Sequence, residues 1–267
     1  MIADFHLHSD HSDGELSPSA LVDAVADAGV AIMALTDHDT TSGHAQAQGA
    51  CKRRGIAFVR GIEMTTYAMD RVIHVLGLGV RTHNDGLARA GENARANFAH
   101  NQQVWVEALA AQGATVSWLR DFPNGAVRLP LLIERLCQRG VEGGDPQRVH
   151  AAFRAYFRAL PASAYAALPS PRAAAELIRA AGGIAILAHP YRIAEDASWH
   201  AVLDGMDGIE AMYAAYSKLQ RESLLAIARA DNKLYSCGSD YHGYFFGKYQ
   251  NPKFEAPPEL LSRLRAS

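Results

Sequence analysis

Cysteine is scarce. The 267 residues hold three (Cys51, Cys137 and Cys237), scattered and odd in number, which excludes a disulfide framework and favours a reducing, cytoplasmic setting. No run of about 18 apolar residues occurs, so no membrane-spanning helix is expected. The opening stretch MIADFHLHSDHSDG lacks the basic and apolar regions of a secretory signal. Net charge is also small, −2 from 26 basic and 28 acidic residues, which argues against a broad nucleic-acid-binding face. The patterns GxSxG, HExxH and CxxC are missing. The short pieces GLG (77–79) and GG (182–183) do not fit a phosphate-cradling or dinucleotide loop. Histidine, by contrast, is plentiful: there are 12, three of them within the first eleven residues.

The grammar of the chain is β-α repetition. Ala3 to His8 reads as a strand. Ser17 and Pro18 open a helix that Gly29 ends, and VAIMALT (30–36) is the continuous apolar run of a parallel strand covered on both faces. A helix from Ser42 to Arg54 and strands at 56–61 and 72–80 follow. The pattern resumes with a helix opened by Ser170 and Pro171, strands at 184–188, 209–213 and 234–239, and a helix over 217–230. Between about 81 and 165 only helical periodicity is found, at 86–112, 130–139 and 146–159. The expectation is therefore an α/β barrel domain over 1–80 and 166–267, with a helical insertion over 81–165 covering the active site. Charge divides in the same way: residues 1–80 carry net −5, and 81–165 carry ten Arg, no Lys and net +3.

Chemistry-bearing side chains recur where strands end. His6 and His8 are two apart on a strand, so both imidazoles leave one face while Phe5 and Leu7 enter the packed layer. Asp13 follows in the next loop. His38 lies in TDHD after the second strand, with Asp37 and Asp39 placed to orient neighbouring ligands. Glu63 closes IAFVRGIE, His74 sits in VIHVLGLG, His189 follows GGIAILA, and Asp240 and His242 are two apart in GSDYH. Each alone has an ordinary structural explanation. Together, nine such groups at the ends of six strands exceed one tetrahedral site and suit two or three divalent cations with bridging carboxylates. His44, His83, His100, His150 and His200 read as solvated, and the register of His11 stays open.

The ordered series DFHLHSDHSDG, ALTDHDTTSG, GIEMTT, VIHVLGLG, ILAHP and GSDYHG resembles the polymerase and histidinol phosphatase (PHP) family of metal-dependent phosphoesterases, over about 1–80 and 168–243. The resemblance implies a distorted (β/α)7 barrel. It also implies a trinuclear centre, commonly of Mn²⁺ with Fe or Zn as alternatives, held by His6, His8, Asp13, His38, Glu63, His74, His189, Asp240 and His242. The branch it most resembles carries a helical insertion and acts on nucleoside 3′,5′-bisphosphates, AMP or the 5′ ends of short RNA. That branch usually has a G-R-P-H-like segment. Here AVRLPLLIERL displaces Arg128 by one residue and puts Leu131 at the histidine position, and RALPASAYAALP lacks the basic residue expected near Ala162.

The phosphate-recognition set is therefore altered, and Arg128, Arg192 and Tyr191 are the candidate substrate contacts. The expected reaction is hydrolysis of a small phosphomonoester, with catalytic roles for Asp13, His38 and His242. No membrane and no obligate protein partner is implied. Two alternatives remain: an amidohydrolase, whose bridging lysine finds no counterpart at a strand end between His38 and His189, and a metal-loaded binding module without turnover.

Overall fold

The computed structural model describes residues 1–111, 129–194, 198–243, 249 and 253–266. Two compact units emerge, residues 1–91 with 169–267 and residues 92–168. The first contains β1 (Ala3–Asp4), α1 (Pro18–Asp27), β2 (Ile32–Leu35), α2 (His44–Arg54), β3 (Ala57–Ala68) and β4 (Arg71–Leu78). After β4, α3 (Asp85–Ala111) begins in this unit, because Leu87 packs into its core. The helical unit holds the rest of α3 with α4 (Leu129–Cys137) and α5 (Pro146–Ala159). The barrel resumes with α6 (Pro171–Ala180), β5 (Ile184–Leu187), α7 (His200–Leu203), β6 (Gly208–Tyr213), α8 (Lys218–Ala230), β7 (Leu234–Gly238) and α9 (Pro258–Ala266). None of the described helices is long and apolar enough to cross a membrane.

The strands form one seven-stranded sheet in the order β1 to β7. The sheet nearly closes on itself: Phe5 N–H donates to Cys237 O at 2.9 Å and Asp240 N–H to His6 O at 2.9 Å. The fold is thus the distorted (β/α)7 barrel that the sequence implied. Its distortion is β4, antiparallel to both β3 and β5. β3 does not stop at Gly61 but runs on to Ala68, and Met69 and Asp70, both at φ 55°, turn the chain directly back into β4. Glu63 therefore lies inside a twelve-residue strand rather than at its end.

Alternation along the strands separates two environments. Val59 on β3, Leu76 and Leu78 on β4, Ile184 and Ile186 on β5 and Cys237 on β7 share a core with Ala3, Phe5 and Ala34. This is the barrel interior, with Leu260 of α9 packed against it. Alternate residues such as Ile62, Val75, Ala185 and Ile209 face out and meet α6 and α8 through Ile178 and Leu224. The β1 strand is shorter than expected. The Thr36 hydroxyl takes the Leu7 N–H at 3.0 Å, and Leu7 joins the core around α1 and α2 while Phe5 stays in the interior. The two residues thus occupy different layers, not the shared one that simple alternation predicts.

Helix starts follow their caps. Ser17 and Ser170 each accept an N–H of the first turn ahead of a proline, and Asp145 does the same ahead of Pro146. Within the helical unit Trp105, Val106, Leu132, Ile133, Leu136, Val149 and Phe153 are buried, and Asn97 donates to Ala164 O at 2.7 Å.

Candidate metal centre

The inward series on β3 and β4 continues past the apolar interior as Glu63 and His74, whose backbone partners are Leu76 and Thr65. Because β4 is reversed, His74, early in its own strand, reaches the rim where the parallel strands end. His38 bridges to Glu63 through backbone pairing, and Tyr241, between Asp240 and His242, bridges to Leu7, between His6 and His8. The barrel therefore brings all nine predicted donors to one rim.

Glu63, fully buried, is the hub. Its Oε2 lies 2.9 Å from His6 Nε2, 3.0 Å from His8 Nε2 and 3.5 Å from His38 Nδ1. Its Oε1 lies 3.1 Å from His74 Nδ1 and 3.1 Å from His189 Nε2. Asp240 Oδ1 is 3.3 Å from His6 Nε2 and 3.2 Å from His8 Nε2. On the outer side, Asp13 Oδ1 is 3.3 Å from His242 Nε2, and its Oδ2 is 3.7 Å from His38 Nε2. Three overlapping donor sets result: His8, Asp13, His38 and His242; His6, His8, Glu63 and Asp240; and His38, Glu63 and His74.

These groups fit divalent cations better than they fit one another. Neither ring nitrogen of buried His8 makes a hydrogen bond, although Nε2 sits 3.0 Å from Glu63, and His38 Nδ1 and His189 Nδ1 are also unsatisfied. Close approach without hydrogen-bond alignment is what donors aimed at a common centre show. Without cations the carboxylates are balanced by protons. Burial opposes charge on His8, but Asp240 and Glu63 raise its pKa to about 10, and His6 is raised too despite burial by Glu210, Glu63 and Asp240. His38 falls to about 3, through burial and the charges of His8 and His74, outweighing the opposite pull of Glu63 and Asp13. Burial would raise Glu63 and Asp240, yet the surrounding imidazoles hold both carboxylates well below their usual range.

Supporting groups lock the loops. Asp37 accepts from Ser9 N–H, Ser9 Oγ and Ser12 Oγ, each at 2.7 Å, which fixes the loop leading to Asp13. Asp39 accepts from Thr65 N–H at 2.8 Å and Thr65 Oγ1 at 2.5 Å. Both aspartates thus fasten the segments that carry the donors through backbone N–H and hydroxyl groups. A Cβ at Gly14 would come within 2.5 Å of His8 O, so the turn after Asp13 closes only around glycine.

The candidate substrate residues separate. Arg192 Nη1 donates to Asp240 Oδ2 at 2.7 Å and to Tyr213 Oη at 3.1 Å, at the edge of the cluster. The Tyr191 hydroxyl is engaged by Ser223 at 3.1 Å, and its ring packs on Trp199 and Tyr216, away from the donors. Arg128 lies outside the described residues. His11 bonds Ser42 Oγ at 2.7 Å and joins no donor set. His44 corrects an expectation: it is buried rather than solvated, because from the first position of α2 its ring reaches Gly61 O at 2.7 Å.

Sequence reasoning missed Glu210, fully buried on β6, and Tyr213, whose hydroxyl donates to Asp240 Oδ2 at 2.8 Å. It also missed Asp4, which accepts from Tyr249 Oη at 2.9 Å and whose pKa burial raises to about 6. A lone acid in the apolar strand GIEAMY was the available signal for Glu210.

Comparison with known proteins places this geometry. The PHP domain family matches residues 4–166. The 5′-3′ exoribonuclease of Haemophilus influenzae is 32% identical over 251 residues, covering 90% of this chain and 89% of that protein. The 3′,5′-nucleoside bisphosphate phosphatase of Chromobacterium violaceum is 30% identical over 251 residues, covering 90% and 86%. Among solved structures, an amidohydrolase from Chromobacterium violaceum with bound sulfate and no metal superposes with a TM-score of 0.80 at 28% identity, covering 98% of this chain and 97% of that one.

Proposed function

The chain belongs to the PHP domain family, a family of metal-dependent phosphoesterases, and on that premise we propose that it hydrolyses a small phosphomonoester, a nucleotide such as a nucleoside 3′,5′-bisphosphate or AMP. The observation that carries this reading is Glu63. One buried carboxylate faces five imidazoles, three at Oε2 and two at Oε1, as a carboxylate shared between cations does. His6, His8, Asp13, His38, Glu63, His74, His189, Asp240 and His242 would hold two or three divalent ions, with Mn²⁺ the proposed metal. When bound, such ions neutralise phosphate oxygens and make water acidic enough to attack phosphorus.

The chain's own groups do the rest. Asp13, His74, His38 and His242 are the more exposed donors, with side chains 24%, 24%, 22% and 15% accessible, so substrate meets the cluster at their edge. Burial opposes ionisation of Asp13, but His242 and His38 keep it a carboxylate, 3.3 Å from His242 Nε2 on the side of the cluster that substrate would meet. Among the described residues Arg192 is anchored through Nη1, which leaves its other nitrogens for a phosphate oxygen, and its side chain is 42% exposed. The sulfate in the similar Chromobacterium violaceum structure is a tetrahedral dianion of the same kind. A 5′-phosphorylated short RNA offers the same terminal phosphate, in keeping with the exoribonuclease relative. The amidohydrolase name of that structure is not carried over, because the group at the centre of this cluster is a carboxylate and not a lysine.

The test is phosphate release by metal-stripped protein reloaded with Mn²⁺, on adenosine 3′,5′-bisphosphate, AMP and a 5′-phosphorylated short RNA, with dihydroorotate as an amide control. Mn²⁺-dependent release, fastest from a nucleotide, is expected. Cleavage of the amide alone, or metal binding with no turnover of any ester, overturns the proposal.

A further inference from the structure

Among the described residues strand β6 is the one strand that neither carries nor leads to any of the nine donors, yet it lies between β5, which leads to His189, and β7, which leads to Asp240. Its inward residue Glu210 is fully buried and makes two hydrogen bonds to the chain. Its Oε1 is 2.8 Å from His6 Nδ1, and its Oε2 accepts the His189 backbone N–H at 2.8 Å. The opposite ring nitrogen, His6 Nε2, faces Glu63 at 2.9 Å and Asp240 at 3.3 Å.

We infer that Glu210 is a positioning residue: by accepting from Nδ1 it fixes the tautomer of His6 in which Nε2 is the donor offered to a cation. Two observations show that the barrel is built around this contact. A Cβ at Gly238 would lie 2.3 Å from His6 Cβ and 2.8 Å from Glu210 Oε1, so the pair can meet only beside a glycine. His189 holds φ 25° and ψ 60° directly before Pro190, a conformation disfavoured for a non-glycine residue and again by the following proline, and Glu210 takes its N–H. A carboxylate accepts from both donors at once. An amide has one accepting oxygen, so Glu210→Gln must either leave the His189 N–H unpaired or present its NH₂ to His6 Nδ1, moving the ring proton to Nε2.

The inference rests on the cluster being a metal centre, and the experiment separates the two. Metal-free parent and Glu210→Gln protein are titrated calorimetrically with Mn²⁺. The parent is also loaded with diamagnetic Zn²⁺, and the His6 ring proton is located by long-range ¹⁵N–¹H correlation. Expected are a Kd for Mn²⁺ about 10–100-fold weaker in the variant and, in the parent, a proton on His6 Nδ1 with Nε2 bare. Variant affinity within twofold of the parent overturns the inference, as does a proton on Nε2 of the Zn²⁺-loaded parent. The second readout decides the matter even if Glu210→Gln does not fold. A parent that binds neither Mn²⁺ nor Zn²⁺ overturns the metal-centre reading and this inference with it.

Discussion

Stripped of metal, this protein should become less stable between pH 7 and pH 9, and divalent cations should abolish the loss. His8 is fully buried, and the carboxylates of Asp240 and Glu63 outweigh burial to raise its pKa from 6.5 to about 10. A group whose folded pKa is raised contributes its full stabilisation below the unfolded value and loses it as pH climbs through the folded one. From pH 7 to pH 9 the folded state keeps the His8 proton while the unfolded chain has largely released it, which costs roughly 2–3 kcal/mol for this residue alone. For a chain of this size that lowers Tm by about 5–10 °C, and His6, raised by the same carboxylates, adds in the same direction. Asp4, raised to about 6, has finished titrating below the window, and the thiols of Cys51 and Cys237, both raised by burial, add a smaller loss in the same direction near its top, where the unfolded thiol ionises. The depressed groups His38, Glu63 and Asp240 act only below the window. The assay is thermal unfolding by circular dichroism after chelation and dialysis, at pH 7, 8 and 9 and constant ionic strength, with and without Mn²⁺. A metal-free Tm that stays flat or rises from pH 7 to 9 refutes the reasoning, because the carboxylates would then not be balanced by imidazolium.

Three substitutions probe other parts of the site. Arg192→Gln should raise KM for a nucleotide substrate by about tenfold, the loss of roughly one charge-assisted hydrogen bond, with metal content unchanged because Tyr213 still holds Asp240 Oδ2; steady-state kinetics beside metal analysis reads both. Asp37→Asn cannot accept all three of its donors in the 9–12 loop, so it should cost about 1–3 kcal/mol in urea unfolding and lower turnover by loosening Asp13. Gly14→Ala drives a Cβ into the His8 carbonyl and should destabilise by about 1–3 kcal/mol while reducing Mn²⁺ bound per chain.

Much of this was legible in the chain because it depended on local chemistry. The helix over 146–159 was readable from its apolar period, and the structure adds the Asp145 cap ahead of Pro146 that fixes its start. The direction of β4 was not read, because a strand buried on both faces has the same apolar run whichever way it points. The available signal was distance: the ten residues between the strands expected at 56–61 and 72–80 are short of the dozen or more that a parallel crossover requires. His44 was misjudged for a related reason, since the carbonyl that buries its ring belongs to Gly61, on the following strand.

Donors announce themselves in sequence because imidazoles and carboxylates at strand ends form a pattern. The residues that aim them do not, because each is a single polar side chain in an apolar strand whose partner is remote. Glu210 meets His6 across 204 residues, and Tyr213 reaches Asp240 across 27. Both lie on β6, the strand that leads to no donor among the described residues, and between them they hold groups contributed from the far side of each neighbouring strand. A nearly closed sheet makes this possible. Since Phe5 and His6, just past β1, bond to Cys237 and Asp240 at β7, a side chain on β6 stands within reach of donors that follow β1, β5 and β7 together. Giving one strand to orientation instead of ligation leaves fewer donors but fixes the direction of those that remain, and a cluster of partly unsatisfied imidazoles around one carboxylate depends on that fixing more than on a further ligand.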